Sequence, residues 1–529
     1  MRTKYLFILL AIGALLFLFG IGERDLLDPD ETRYALVARE MRESGNWILP
    51  HLGGSIYAEK PPLFFWLVNL STFVLGEDSG FGYRLPSALA GLACLLITFL
   101  FGARLFHPRI GFLSGLALAT CFLFPQLSRW MMLDSLFTLL FLLTLLTFYH
   151  GYEREETRNR DYLLAGLFMG LGVLTKGPIA YLPIPILLIF TLLRREAKKF
   201  WTPYLFYGFL ISLTVVLIWL VPACYLGGKE YAERIVLQQT FGRFAEGGEH
   251  FHPKPFYFYF LRFPVEFLPW AFFLPAAWLV GIRRMKEKEI LFLFIWFFFI
   301  LLFFTLSKGK KDNYILPLYP AAAILVSALW DEPFPRRGER RGLLGGLLGL
   351  AFLSFILFIL GLSKLPRTYY PALIPYYHLG MSLLSLFLIG SFCSLVLYLK
   401  KRPVGSFLSL MITFSLIYLY IAYSLAPIVN SKWSMRPFAE TILKRMEAGD
   451  ELKICFFRSP GLVYYTRKSS IETIRSENQF WKLFHSPKRF FFVIKSEYFE
   501  LLKEENWIEV PPLEKTRVGD RNLVLISNR

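Results

Sequence analysis

Apolar runs long enough to cross about 30 Å of hydrocarbon recur along most of the chain. They lie at 5–22, 83–106, 109–128, 133–150, 162–175, 177–193, 203–226, 263–282, 289–306, 312–330, 342–362, 378–399 and 404–425. These thirteen runs predict thirteen transmembrane helices. The pair at 162–193 is tight and must turn around Lys176-Gly177-Pro178. The first run follows Arg2 and Lys4 and has no small-residue cleavage site behind it, so it reads as a retained helix rather than a cleaved signal peptide. After residue 430 the pattern changes. KICFF (453–457), RFFFVIK (489–495) and NLVLIS (522–527) read as strands, and SEYFELLKEENW (496–507) as a helix. The expected organisation is a transmembrane domain over 1–429 with long loops at 23–82 and 227–262, followed by a small soluble α/β domain over 430–529.

Composition agrees. Of 529 residues, 55% are hydrophobic and only 19% charged, against about a quarter charged in soluble proteins. A soluble multidomain enzyme and a disordered chain are excluded. Five scattered cysteines exclude a disulfide framework and a cysteine metal cluster. The net charge of +18 suggests nucleic acid until its positions are read. With the N-terminus in the cytoplasm, the basic groups Arg104/Arg109, Arg154/Arg158/Arg160, Arg194–Lys199, Arg283–Lys288, Arg336–Arg341 and Lys400–Arg402 all fall on inner turns. That is the positive-inside rule. The excess is topological, and no nucleic-acid partner is expected.

The stretch 61–76, PPLFFWLVNLSTFVLG, is left out of the count. As a helix it covers only ~24 Å, and making it a span would turn every later basic cluster outward. It is expected to lie at the outer interface or re-enter the membrane. The outer face then receives 23–82, 227–262, 363–377 and the tail, so any chemistry belongs there or in the membrane close by. No Walker or dinucleotide fingerprint is present, and no nucleotide cofactor is expected.

The first outer loop opens with five carboxylates between Glu23 and Glu31, stiffened by Pro29. A helix starting at Asp30 would place Tyr34, Val37, Ala38 and Met41 on one face. Asp30 and Glu31 at its start could serve as general base, metal ligand or stabiliser of a cationic transition state, or could cap the helix and offset its dipole. Tyr57-Ala58-Glu59-Lys60 precedes the apolar stretch, where Lys60 suits a lipid phosphate and Glu59 a metal or Lys60 itself. Asp134 stands at the start of the fourth span, Lys176 lies between two spans, and Ser307–Tyr314 carries Lys308, Lys310 and Lys311 against the positive-inside trend. An anionic ligand would explain those lysines. The second long loop contains His250 and His252 beside Glu249. With Glu59 these could complete a zinc-type site, or the His-x-His spacing could be incidental.

The run PDETRYALVAREMRESGNWILPHLGGSIYAEKPPLFFW resembles the first periplasmic loop of bacterial lipid A aminoarabinose transferases. These are polyprenyl-phosphate-dependent glycosyltransferases of the GT-C fold, related to protein O-mannosyltransferases. The resemblance continues through Leu133-Asp134, Thr175-Lys176-Gly177, Arg243-Phe244, HPKPFY (252–257) and Ser307-Lys308-Gly309-Lys310, over about the first 330 residues. It implies inverting transfer of a sugar from an undecaprenyl-phosphate-type donor to lipid A or another periplasmic acceptor. The enzyme would sit in the bacterial inner membrane with its C-terminal domain in the periplasm. It implies catalytic roles for Asp30 and Asp134. Lys60, Arg243, Tyr314, Lys308 and Lys176 would hold the donor phosphate, with Glu31, Arg33, Tyr34 and Tyr57 lining the substrate cavity. Glu59 and His252 would bind a divalent metal such as zinc. Relatives often carry a Glu-His near the start of the QTFGRF segment, where this chain has Gln238-Gln239; His252 is the preferred ligand that the resemblance implies.

The chemistry is consistent with this. A phosphate leaving group needs cations rather than a strong acid, and Asp30 would deprotonate a hydroxyl acceptor or stabilise an oxocarbenium-like sugar. Aminoarabinose is the best-known sugar of such enzymes, and galacturonic acid or a hexose fits the same donor chemistry. Two alternatives stay open: a protein O-mannosyltransferase-like enzyme, and a lipid-linked sugar flippase. The flippase would need an inward-facing polar cavity, which the short basic inner turns do not offer.

Overall fold

The computed structural model describes residues 2–76, 79–236, 254–330, 337–363, 371–468, 470–504 and 510–529. The chain forms two compact units. One comprises 1–19, 59–64 and 85–424, and the other comprises 20–58, 65–84 and 425–529.

Among the described residues, seven helices are long and apolar enough to cross a membrane: Gly80–Leu105, Asp134–Glu153, Pro203–Val236, Lys288–Leu306, Gly338–Leu362, Ile374–Leu399 and Pro403–Trp433. Two bent pairs raise the number to nine if each is one span: Pro108–Thr120 with Leu123–Arg129, at 69°, and Phe258–Glu266 with Trp270–Arg283, at 111°. The protein is therefore a multi-pass membrane protein. Only 22–33% of the apolar window is buried in the helices from Pro203, Gly338, Ile374 and Pro403. Helices apolar on every side but so little covered by protein require lipid as their solvent.

The other expected spans take shorter or broken forms. The first run is the helix Arg2–Leu18. The run at 162–175 lies within Arg158–Lys176. Gly177, at φ +87, stops that helix, a conformation glycine adopts without penalty. The chain continues as the 3₁₀ turn Pro178–Tyr181 and the helix Pro183–Leu193. The run at 312–330 becomes a 3₁₀ segment, Asp312–Leu318, followed by the helix Tyr319–Ala328. The stretch at 61–76 forms a 13-residue helix, Leu63–Leu75, about 20 Å long. Its Leu70, Phe73 and Val74 are exposed.

In the second unit a short hairpin, β1 (His51–Leu52) and β2 (Ser55–Ile56), follows the helix Asp30–Ser44. The tail supplies β3 (Glu451–Cys455), β4 (Thr473–Ile474), β5 (Phe490–Lys495), β6 (Glu514–Val518) and β7 (Arg521–Ser527), in the sheet order β4-β3-β5-β7-β6. β3 is parallel to β4 and β5, whereas β7 is antiparallel to β5 and β6. β5 reads FFFVIK without polar alternation because both sheet faces are covered. Phe491 and Val493 join one core with Ile442, Leu462 and Leu36 of the first-loop helix. Phe490, Phe492 and Ile494 join another with Phe480 and Phe499. β6 is an edge strand whose charged residues alternate outward.

In the first unit, the helices Arg158–Lys176 and Pro203–Ala232 meet at Gly166 and Gly208. A Cβ on Gly166 would sit 2.0 Å from the Gly208 carbonyl oxygen. Small residues of this kind let membrane helices approach closely. Gly166→Ala is therefore expected to cost about 1–3 kcal/mol, read as a lower unfolding temperature of the purified protein in detergent. An unchanged temperature would mean that the two helices do not pack here.

Candidate active site

The candidate residues form two clusters, one in each unit. In the second unit, the helix Asp30–Ser44 starts directly after Pro29 and carries Asp30 and Glu31 in its first turn. Carboxylates at that end are favoured by the unpaired amide groups and the helix dipole. Asp30 remains partly exposed and accepts a hydrogen bond from Arg33 one turn on. Arg33 also lies 5.3 Å over the Tyr34 ring.

Glu31 has a different environment. Its side chain is only 1% exposed. Arg84 donates through Nε to Oε1 (2.7 Å) and through Nη2 to Oε2 (3.0 Å). Arg24 Nη2 lies 2.8 Å from Oε2, and the Leu27 amide donates to the same oxygen at 3.1 Å. Arg84 also donates to the carbonyls of Ile21, Arg24 and Asp25. Burial, assisted by the neighbouring Arg84 charge and opposed by Glu31, pulls the Arg24 guanidinium down to about 10. It stays protonated at neutral pH. Glu31 thus fixes the start of the loop, whereas the sequence reading placed it in a substrate cavity. Tyr34 and Tyr57, assigned to the same cavity, are buried with their rings edge-on to Phe65.

Further along the helix, Glu40 accepts the amides of Gly53 and Gly54 and so holds the hairpin turn. Burial raises its carboxyl above the ordinary value, against the pull of those two amides. Asp28 accepts from Thr32 and, at 3.3 Å, from Ser459, with Arg521 at 3.6 Å. Arg39 donates to the carbonyls of Tyr464 and Lys468. The first loop and the tail are thereby parts of one unit.

In the first unit, Asp134 begins the helix Asp134–Glu153 and is 2% exposed. Lys176 Nζ donates to Oδ1 at 2.5 Å, and Asn313 Nδ2 donates to Oδ2 at 2.9 Å. The Lys176 ammonium also faces the rings of Phe137 (5.3 Å) and Tyr314 (5.1 Å). Three predicted residues, Asp134, Lys176 and Tyr314, therefore meet. An ammonium carries three donors, and among the described residues Asp134 is its one hydrogen-bonding partner. The site can offer further donors to an anion. Lys308 stays exposed on its turn, whereas Lys310 is buried and donates to the carbonyls of Ser307 and Lys254. Burial lowers the Lys310 pKa. Below that turn, Arg262 pairs with Asp312 (2.5 Å) and Glu266 (3.4 Å), and Tyr319 donates to Glu266.

Glu59 and Lys60 belong to the first unit and are half-buried. Arg243 and His252 lie outside the described residues. Among the described residues no group of three His, Cys, Asp or Glu side chains is placed to hold a metal. No step below passes through a metal.

Sequence reasoning missed Arg84 and Asn313. Arg84 carried a usable signal: a charge next to a long apolar run needs a partner. Asn313 lies within the turn 307–314, but an amide gives no sign in sequence of which carboxylate it will meet.

Residues 59–221 match the family described as dolichyl-phosphate-mannose-protein mannosyltransferase. The chain is 33% identical over 377 residues to the undecaprenyl phosphate-alpha-4-amino-4-deoxy-L-arabinose arabinosyl transferase of Pseudomonas aeruginosa (strain UCBPP-PA14), covering 70% of this chain and 67% of that protein. The chain belongs to the family of undecaprenyl phosphate-aminoarabinose arabinosyl transferases. A second member, from Pseudomonas fluorescens (strain Pf0-1), is 33% identical over 361 residues, with 66% of this chain matched to 65% of its own length. The chain thus spans about two thirds of the curated arabinosyl transferases it matches. In fold it is similar to ArnT from Cupriavidus metallidurans bound to undecaprenyl phosphate, with a TM-score of 0.81 at 20% identity over 100% of this chain and 99% of that one. Archaeal oligosaccharyltransferase AglB from Archaeoglobus fulgidus shares the architecture more distantly, with a TM-score of 0.53 at 12% identity over 96% and 71% of the two chains.

Arg84→Met would strand Glu31 without its main cation. Breaking a buried pair from one side costs about 3–5 kcal/mol, so a large drop in unfolding temperature is expected. Adding Glu31→Gln to that variant should recover part of the loss. A double variant no more stable than Arg84→Met alone would refute the pairing as the cause.

Proposed function

We propose that the protein is a polyprenyl-phosphate-sugar-dependent glycosyltransferase. It moves a sugar, aminoarabinose or a close relative, from an undecaprenyl-phosphate-type donor to lipid A, with inversion at the anomeric carbon. The observation that carries this reading is the 33% identity to arabinosyl transferases, and the buried Asp134–Lys176–Asn313 cluster supports it chemically. As the bond from the anomeric carbon to the phosphate oxygen breaks, charge accumulates on that phosphate. Lys176 and Tyr314, together with Lys60, Lys308 and Arg243, are the groups assigned to receive it. Asp134 and the two aromatic rings hold the Lys176 ammonium in place before the donor arrives.

Asp30 is assigned to the acceptor step. With a hydroxyl acceptor it takes the proton as the new glycosidic bond forms. With an already ionised lipid A phosphate no proton needs removal, and Asp30 stabilises positive charge developing on the sugar ring. Undecaprenyl phosphate leaves in either case. Glu59 and His252 remain the residues assigned to a divalent cation, which would supply positive charge near the phosphate. The match of 59–221 to protein mannosyltransferases favours one second reading, in which the acceptor is a protein hydroxyl.

Asp30→Asn is expected to lower transfer by about a hundredfold or more while polyprenyl-phosphate binding persists. Mass spectrometry of lipid A and of periplasmic proteins from cells with and without the active protein separates the two acceptors. Unchanged transfer by Asp30→Asn would remove its assigned role, and sugar appearing only on proteins would establish the second reading.

The same proposal places the chain in the bacterial inner membrane with thirteen spans, a cytoplasmic N-terminus and a periplasmic α/β domain over 430–529. Single cysteines at Lys401 and Lys482, probed in cells with a membrane-impermeant maleimide, test this. Lys482→Cys should label from the periplasm and Lys401→Cys should not. The reverse pattern would overturn the orientation.

A further inference from the structure

The tail sheet contains a change of winding direction. From β3 the chain runs to β4 on one side, while β5 returns on the other side of β3. A cavity of about 260 Å³ lies beyond the carboxyl ends of β3 and β4, on the β4 side, lined by Phe456, Phe457, Arg458, Thr473 and Arg475. These residues directly follow β3 and include or follow β4. The cavity is slightly smaller than common ligand clefts, which hold about 300–1,000 Å³, and suits a ligand the size of one sugar.

Lys453, Lys488, Arg489, Arg445, Lys515 and Arg521 each face a carboxylate. Among the described residues, Arg458 and Arg475 have no carboxylate or hydrogen-bond partner. Both are exposed at the cavity. The helix Glu477–Phe484 starts just after Arg475, with the Ser476 hydroxyl accepting the Gln479 amide at its first turn. Phe456 holds a left-handed backbone, φ +65, and its ring packs 4.2 Å from that of Tyr498. Side chains without a β-carbon penalty would sit there more easily, yet the ring is kept at the cavity wall. Two arginines select an anion, and Phe456 and Phe457 give the wall apolar surface that suits the C–H groups of a sugar.

We propose that this crevice is a binding site for a phosphorylated saccharide, separate from the transfer chemistry and independent of the function proposed above. The shared chemistry is one sugar ring bearing a phosphate, either soluble or as part of a lipid headgroup.

The test is calorimetric titration of the full-length protein in phosphatidylcholine nanodiscs with glucose 1-phosphate. Binding is expected, and Arg458→Ala/Arg475→Ala should weaken it by about tenfold or more. The same double variant should leave sugar transfer unchanged, which separates this site from the transfer reaction. Both arginines are exposed, and an unaltered unfolding temperature confirms that the double variant is folded. A second arm incorporates lipid A in the nanodiscs and measures competition with glucose 1-phosphate. Arginine-dependent competition identifies a lipid-borne ligand, and its absence alongside arginine-dependent binding identifies a soluble one. Either result sustains the site. Absence of binding, equal affinity in the double variant, or equal affinity for inorganic phosphate would overturn it.

Discussion

Every part of this architecture answers to one constraint: a charge taken out of water must be met by an opposite charge and by hydrogen bonds. Glu31 meets it with Arg84, Arg24 and a main-chain amide. Asp134 meets it with Lys176 and Asn313. In each case the carboxylate stands in the first turn of a helix, where the backbone contributes positive potential without bringing another side chain. The pairs differ in what they leave over. Arg84 uses its guanidinium fully on Glu31 and three carbonyls, so it fixes shape. Lys176 gives one donor to Asp134 and turns its remaining surface to aromatic faces, so it keeps capacity for an anion. This difference separates an ion pair with every donor used from one with donors to spare.

Much of this was legible in the sequence. Asp134 and Lys176 stood out because apolar runs make isolated charges conspicuous, and the long helices follow from uninterrupted hydrophobic length. Less was legible where length and contact decide. Runs such as 162–193 and 312–330 divide into shorter pieces at Gly177 and at the 3₁₀ segment 312–318, breaks that a hydropathy count passes over. Glu31 and Asp30 are neighbours of similar chemistry in the sequence, but successive helical positions point about 100° apart. One is therefore sealed among arginines and the other reaches the surface. The strands β3, β5 and β7 were visible from their apolar residues. β4 has only two residues, and β6 is a charged edge, so neither shows a buried stripe.

Membership in the arabinosyl transferase family adds meaning to the charged groups, and the fold shared with ArnT and, more distantly, AglB fits this. The helices exposed along most of their apolar surface lie in lipid, and within the other unit the first loop is held by Glu31, Glu40 and Asp28.

The second compact unit draws on both ends of the chain, and this sets an order on its synthesis. The segment 28–44 leaves the ribosome early, yet the Ser459 hydroxyl that bonds Asp28 and the Tyr464 and Lys468 carbonyls that bond Arg39 are encoded some four hundred residues later. At about 5–20 residues per second, the first loop waits on the order of a minute for its partners, with Leu36 still lacking the sheet that will cover it. A nascent chain in that state exposes an incomplete hydrophobic face for most of its translation, so the last hundred residues decide when the beginning of the protein becomes stable.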